Sequence, residues 1–597
     1  MIRTRFGFRL AILCYVGIFT SVLGCVEGGD AQDRNADSER AAVQIIARLY
    51  RGGPILTMAG ESPEIVEALL ERDGRILFVG GEAEARRFIE DEIQIVDLDG
   101  QTLLPGFIDT HVHYGVQAQA LSFEVAPPWR FESDLAFIDH VAAVAERTPK
   151  GEWIVLYGYD RVLIPPYRNL TRTDLDRATR DHPVLVLYLG LHWASTNSLG
   201  LEAAGIDRET PTHIQGGGIY FKDEAGEPTG LMTESAVFGL VDHIESVGDP
   251  LDPIARREIA KRMSANGITT IADRATGATG GPQELALLEM LAHEPDFPLR
   301  IVATPIYQIL GLLDGPTAWD GAYQATQIKL LIDASLVGGT SATLDPQLDG
   351  TTGNLNYSRA EYRRALLESA AKGFSTATHT MGDRGHRVML DVFEEIRDEV
   401  LPVGRHSIEH SALVADEDIP RIAALGLSVS QLTPLLHVHG DAMAQLVYGE
   451  ARARRLFDSA RIDAAGINLA LHSDAPIFES RPLQYVWVAV NRITTSGRVL
   501  GPEARLTPYR ALRGITINAA RHLSLEHELG SLEVGKRADF VVLDENPLSV
   551  DPAKIDQIEV RATIKGGRRY FDIHSAASAT GIGMMFQVST ERLPSRL

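Results

Sequence analysis

Eight short apolar runs, separated by stretches of helical spacing, recur between residues 103 and 474: LLPGFIDTHVH (103–113), GITTIAD (267–273), LRIVATPIY (299–307), QIKLLID (327–333), FSTATH (374–379), HSIEH (406–410), LSVSQL (427–432) and NLALHSD (468–474). Apolar runs that alternate with amphipathic helices describe buried parallel strands joined by crossovers. Eight such units predict an α/β chain folded as a (β/α)8 TIM barrel over residues 105–524. The stretch from His113 to Gly267 is too long for one crossover. An insertion at about residues 115–265 is therefore expected after the first strand.

The flanks read differently. Residues 45–104 and 525–571 are rich in short alternating runs and turn pairs such as Asp73-Gly74 and Asp99-Gly100. Asp-Gly between alternating runs is a hairpin signal, and the two flanks together predict one small β-sandwich domain. The tail at 572–597 carries no motif. Charge narrows the partners: 57 Lys+Arg against 80 Asp+Glu leave a net −23, without the basic footprint that nucleic acid requires. With 45% hydrophobic residues the chain has ample material for a core and is not disordered as a whole.

The first 25 residues stand apart. Arg3, Arg5 and Arg9 precede an apolar stretch from Leu10 to Leu23 that closes on Gly24-Cys25, the layout of a secretory signal. Leu-Gly-Cys at that place resembles the lipobox of bacterial lipoproteins. The resemblance implies a lipid anchor on Cys25 and a bacterial cell envelope location, on the outer membrane facing the periplasm if the source is Gram-negative; the polar, Gly/Asp-rich stretch that follows reads as a flexible tether over 26–44. Cys14 and Cys25 are the only cysteines. Removal of the first and lipidation of the second leave no thiol for nucleophilic chemistry.

The polar residues of the barrel sit at strand ends. His111 and His113 close the first run, where side-chain alternation puts both on one face. Strand C-termini form the mouth of such a barrel, and two imidazoles there can hold a divalent metal. Lys329 lies inside an apolar run, costly for an ammonium unless it is paired or modified. His379, His410 and Asp474 end later runs. The ordered series HxH, Lys, His, His, Asp marks one functional mouth. Trp153, Tyr159, His192 and Asn197 in the insertion, with Arg384, Arg405 and His437 near strand ends, are candidate substrate-binding residues. Glu234, an acid among apolar residues, is a substitute metal ligand in the case that Lys329 stays unmodified.

This series, with the words NSLGLEAAGI (197–206), EPTGLMTESA (227–236), THTMGDRG (378–385), SDAPI (473–477) and GSLEVGKRADFVVLDENP (530–547), resembles the amidohydrolase superfamily and, within it, the YtcJ-like amidohydrolase-3 family, over about residues 45–571. The resemblance implies a metal-dependent hydrolase of non-peptide C–N bonds in N-acyl, N-formyl or cyclic amides. It implies two Zn2+, with Mn2+ or Fe2+ as alternatives. His111 and His113 would bind the inner ion, Lys329 would bridge both as a carbon-dioxide adduct, His379 and His410 would bind the second, and Asp474 would act as general acid/base on a water whose pKa falls from 15.7 towards ~7. Three positions depart from the family text: Ala334 after Asp333, Thr380 after His379, and His472 just before Ser473. Two other chemistries suit the same scaffold, deamination of a heterocycle at one metal and hydrolysis of a lactone or ester. A lipid-anchored binding protein is the non-enzymatic alternative. The expected partners are a small-molecule substrate and a membrane reached through the lipid, with no nucleic acid; self-association is left open.

Overall fold

The computed structural model describes residues 47–573 except 89–92, 215–216, 242 and 245–246. The leader, Cys25, the tether and the C-terminal tail lie outside the described residues.

The eight predicted runs form eight parallel strands: β1 Phe107–Val112, β2 Ile268–Thr276, β3 Arg300–Pro305, β4 Gln327–Leu331, β5 Ser375–Thr380, β6 Ser407–His410, β7 Ser428–Gln431 and β8 Leu469–Leu471. They lie in two arcs. One runs β3-β2-β1 with the two-residue strand Tyr323–Gln324 at its edge, and the other runs β4 to β8 in chain order. Single parallel bridges, Ile306 to Lys329 and Val112 to Ala475, link the arcs at their edges. Between strands, helices such as Arg359–Ala371 and Asp383–Glu395 turn an apolar stripe inward through Tyr362, Leu366, Met389 and Phe393. The first of these starts on a Ser358/Glu361 capping box, which satisfies amide donors at the helix start. This is a TIM-barrel-type α/β fold.

The described segments flanking the barrel on both sides meet in one eight-stranded sheet. Thr102–Pro105 runs antiparallel to Phe540–Leu543 and joins the N-terminal strands to the C-terminal ones. Asp73 and Gly74 take the left-handed backbone (φ 56 and 74) and turn Ile65–Arg72 into its antiparallel partner Arg75–Gly80, as the Asp-Gly signal predicts. Asp99-Gly100 does not make a hairpin. It joins Ile93–Asp97 to Thr102–Pro105, and both of these run parallel to Ala47–Leu56 instead of pairing with each other. The sheet is tied to the barrel by a buried two-pronged pair, Arg300 Nε and Nη2 to Asp539 Oδ2 and Oδ1 at 2.6 and 2.8 Å. Asp539→Ala leaves the Arg300 charge buried and alone, so a loss of about 3–5 kcal/mol in urea unfolding is expected.

The insertion builds its own six-stranded sheet from strands between Glu124 and Thr233. Phe137, Ile138, Val141, Leu156, Val186 and Tyr188 form one of its apolar clusters. Three polar links seat it on the loops at the strand C-termini. The Tyr157 hydroxyl donates to Leu189 O and Pro476 O, His439 Nε2 meets Asp160 Oδ2 at 2.8 Å, and Arg161 Nη2 donates to Gly338 O. No helix among the described residues is long and apolar enough to cross a membrane.

Candidate metal centre

β1 does not deliver its histidines by simple alternation. The register between β1 and β2 slips by one residue, Ile271 facing Asp109 but Asp273 facing Val112. An extra residue on one strand is a bulge, which re-aims side chains. Thr110 and His111 consequently both reach across the interior: Thr110 Oγ1 meets Ser430 Oγ of β7 at 2.7 Å, and His111 Nδ1 meets Glu409 Oε2 of β6 at 2.8 Å. A second backbone device acts on β6. Glu409 and His410 are neighbours and would alternate in a regular strand, but His410 is left-handed (φ 70), which swings its side chain round to the same region as Glu409. Asp474 is left-handed as well (φ 57). Non-glycine residues in this conformation cost about 1–3 kcal/mol each and concentrate at functional sites.

The side chains named from the sequence meet here. His113 Nε2 lies 3.1 Å and His111 Nε2 3.4 Å from Asp474 Oδ1, and Lys329 Nζ lies 3.1 Å from His111 Nε2. His410 Nδ1 is 3.8 Å from Asp474 Oδ2. The His379 ring centre stands 4.4 Å from that of His410, and its Nε2 reaches Ala334 O at 3.4 Å. His472, set apart in the sequence only as a departure from family text, belongs to the same cluster. Its Nε2 is 3.1 Å from His410 Nδ1, its Nδ1 is 2.7 Å from Ser430 Oγ, and it stacks on His111 with centres 4.8 Å apart.

Electrostatics follow from burial. Burial and the nearby Lys329 ammonium hold His111 well below the usual imidazole range. Burial, then His192 and Lys329, do the same for His379, and burial, then His379 and His111, for His410. Burial brings His472 down to about 3. Burial alone would push Asp474 up, but His111 and His113 outweigh it and hold the carboxyl far below its ordinary value. Burial lowers Lys329 to about 8 against the pull of Glu409 and Asp474. Burial thus favours the unprotonated ring at His111, His379, His410 and His472, beside an Asp474 carboxylate held in its ionised form. The ligand atoms of His111, His113 and Asp474 lie within 4.8 Å of one another, as do those of His111, His410 and His472. Such lone-pair donors, deprotonated and converging, fit a divalent cation.

Glu409 was not singled out by sequence reasoning, although it stands beside His410 in HSIEH. It is fully buried and accepts from Ser407 Oγ at 2.7 Å, with His111 Nδ1 at 2.8 Å and His522 Nε2 at 3.0 Å. Arg274 Nη2 lies 3.5 Å away. A carboxylate on one nitrogen of an imidazole fixes its tautomer and leaves the other nitrogen for a metal. The signal in the sequence is a charged residue in an otherwise buried strand.

The candidate substrate residues divide. His192 comes to the cluster, with its ring centre 5.5 Å from that of His379 and its Nδ1 3.0 Å from Glu234 Oε2. Glu234 engages this imidazole, not the cluster. Burial opposes the charged ring of His192, but Glu234 prevails and raises its pKa. Trp153 packs beside Gly200 in the insertion. Tyr159 packs on Phe137 and Tyr188, and its hydroxyl donates to Arg168 O. Asn197 caps the helix Ser198–Ala203 by accepting from Gly200 N at 3.0 Å. These three support the insertion's own core, a layer that one-dimensional spacing cannot separate from the mouth. Arg384 donates to Thr352 O and Gly353 O, which bind down a loop. Arg405 pairs with Glu526 at 2.8 Å; it precedes β6, so it sits at the N-terminal end of the strand, away from the mouth. His437 Nδ1 meets Ile493 O at 2.7 Å and its ring meets Trp487 edge-on.

Parallel strands thus bring histidines, a lysine and an aspartate to one rim as a centre that fits a divalent metal. The chain belongs to the amidohydrolase family, whose model matches residues 94–571, and it is a hydrolase acting on C–N bonds. It is 27% identical to an N-substituted formamide deformylase of Arthrobacter pascens over 529 residues, covering 84% of this chain and 95% of that one. It is 28% identical to the amidohydrolase YtcJ of Bacillus subtilis strain 168 over 554 residues, covering 88% and 99%. Among solved structures it superposes on an uncharacterized metal-dependent hydrolase from Pyrococcus horikoshii OT3 with a TM-score of 0.67 and 23% identity, covering 85% of this chain and 99% of that one. That likeness is one of fold.

Proposed function

We propose that this chain hydrolyses non-peptide C–N bonds in small N-acyl, N-formyl or cyclic amides, with Asp474 as general acid/base, on a closed barrel flanked by a β-sandwich. The observation that carries the reading is the convergence of His111 and His113 on Asp474, with Lys329 Nζ against His111 Nε2, through contacts of 3.1–3.4 Å. The formamide-deformylase relative supports the choice of bond. His111, His113, His379, His410 and Asp474 would hold one or two divalent ions, Zn2+ in the first instance. Lys329 would bridge them as a carbamate, and burial favours this by lowering its amine to about 8, so that a neutral fraction can form an N–C bond to carbon dioxide and release a proton. A bound divalent cation supplies Lewis acidity, acidifying water and polarising the scissile carbonyl.

The protein's own residues do the rest. Asp474, held ionised, accepts a proton from the attacking water and returns it to the leaving nitrogen. Glu409 keeps His111 in one tautomer, and His472 positions His410 through its Nε2, 3.1 Å from His410 Nδ1. The leader and Cys25 support placement at the bacterial envelope through a lipid, with the catalytic unit beyond the tether. The test is a screen of the metal-loaded enzyme over N-acyl amino acids, formamides, hydantoins and lactones. Turnover of at least one amide class, abolished by chelation and restored by Zn2+ or Mn2+, is expected. Turnover of lactones alone, or activity indifferent to chelation, overturns the reading.

A further inference from the structure

The geometry points to His192 as a further ligand of the metal centre, supplied by the insertion, oriented by Glu234, and sharing a cation with His379. This rests on the reading that the cluster binds divalent metal.

His192 lies in the turn between the strands Val184–Tyr188 and Trp193–Thr196, so its position is set by the insertion and not by the barrel. Two contacts fix the ring. Glu234 N donates to His192 O at 2.9 Å, and the Glu234 carboxylate takes His192 Nδ1 at 3.0 and 3.1 Å. The chain accepts left-handed backbone at two non-glycine residues to achieve this, Leu191 (φ 60) beside the histidine and Glu234 itself (φ 52). Such conformations persist where the surroundings over-determine them.

The ring's hydrogen bonds go through Nδ1, leaving Nε2 for another partner. This is the arrangement already present at His111, whose Nδ1 is held by Glu409. A carboxylate behind an imidazole is the usual companion of a metal-bound histidine. Distances agree. Two imidazoles bound to one cation through bonds of about 2.0–2.1 Å have ring centres roughly 4.5–5.5 Å apart at ordinary coordination angles. The His192 and His379 ring centres are 5.5 Å apart, at the upper end of that range and 0.3 Å beyond the 5.2 Å of His111–His113. Coordination uses the Nε2 lone pair, and a ring that starts as imidazolium releases one proton when it binds. Glu234 then acts as the carboxylate that positions a ligand, in place of the ligand role its sequence context suggested.

The test uses full-length protein loaded with Co2+: wild type, His192→Ala, His192→Gln as the bulk-preserving variant, and Glu234→Gln. Metal content, chelator-competition affinity and the visible absorption of the cobalt are read, with circular dichroism to verify folding. Glu234→Gln should weaken binding of one ion by about 10–100-fold, and the His192 variants should weaken it by at least as much or lose the ion, with a changed cobalt spectrum. Unchanged stoichiometry, affinity and spectrum in the His192 variants overturn this proposal alone, whatever happens to KM. A wild type that binds no cobalt overturns the metal reading and this proposal with it.

Discussion

Asp474→Asn lowers kcat by about 10^2–10^4-fold, the range supplied by a positioned acid or base, while the folded protein keeps its bound metal. The asparagine retains the shape and one acceptor oxygen but cannot take the proton of the attacking water. Two histidine nitrogens stand within 3.4 Å of one Asp474 oxygen, so the amide also removes the charge that they face. The measurement is steady-state kinetics on samples matched for metal content. A fall in kcat with KM little changed fits loss of proton transfer. Near-normal turnover at full metal occupancy contradicts the assignment.

The second large effect is expected at Glu409, which does not face the mouth. Its carboxylate meets His111, His522 and Ser407 and lies near Arg274. Glu409→Gln should weaken metal binding by about 10–100-fold, because His111 Nδ1 loses the negative charge of its acceptor and the amide has one acceptor oxygen for partners that the carboxylate serves with two. It should also destabilise the fold by about 3–5 kcal/mol, because the buried Arg274 loses its counter-charge. Chelator competition reads the first effect and chemical denaturation the second. Glu409→Asp, which keeps the charge, should recover most of the stability and part of the affinity. Equal recovery of both by Gln would show that only hydrogen-bond shape matters there.

The barrel strands were legible because burial on both faces writes each as an uninterrupted apolar run. The polar residues that break those runs, His111, Lys329, His379, His410 and Asp474, stood out for the same reason. What closes the centre was not legible. The bulge at Thr110–His111 and the positive φ at His410 are backbone events with no glycine to mark them; the first turns Thr110 and His111 together into the interior, and the second brings His410 round to the side of Glu409. Asp99-Gly100 shows the same limit: the turn is where the sequence puts it, but the flanking strands choose a shared partner. In the insertion, Tyr159 and Asn197 look as polar and as placed as His192 in one dimension. Only the fold shows that the first two serve a separate core and a helix cap, while a strained turn carries the third to the histidine cluster.

The central claim is that side chains from five strands form one cation-binding centre. It is tested most directly by anomalous X-ray scattering from crystals of the protein grown with Zn2+ or Mn2+. The account predicts one or two strong peaks bounded by His111, His113, His410 and Asp474. Peaks confined to other parts of the molecule, with none among these side chains, would contradict it.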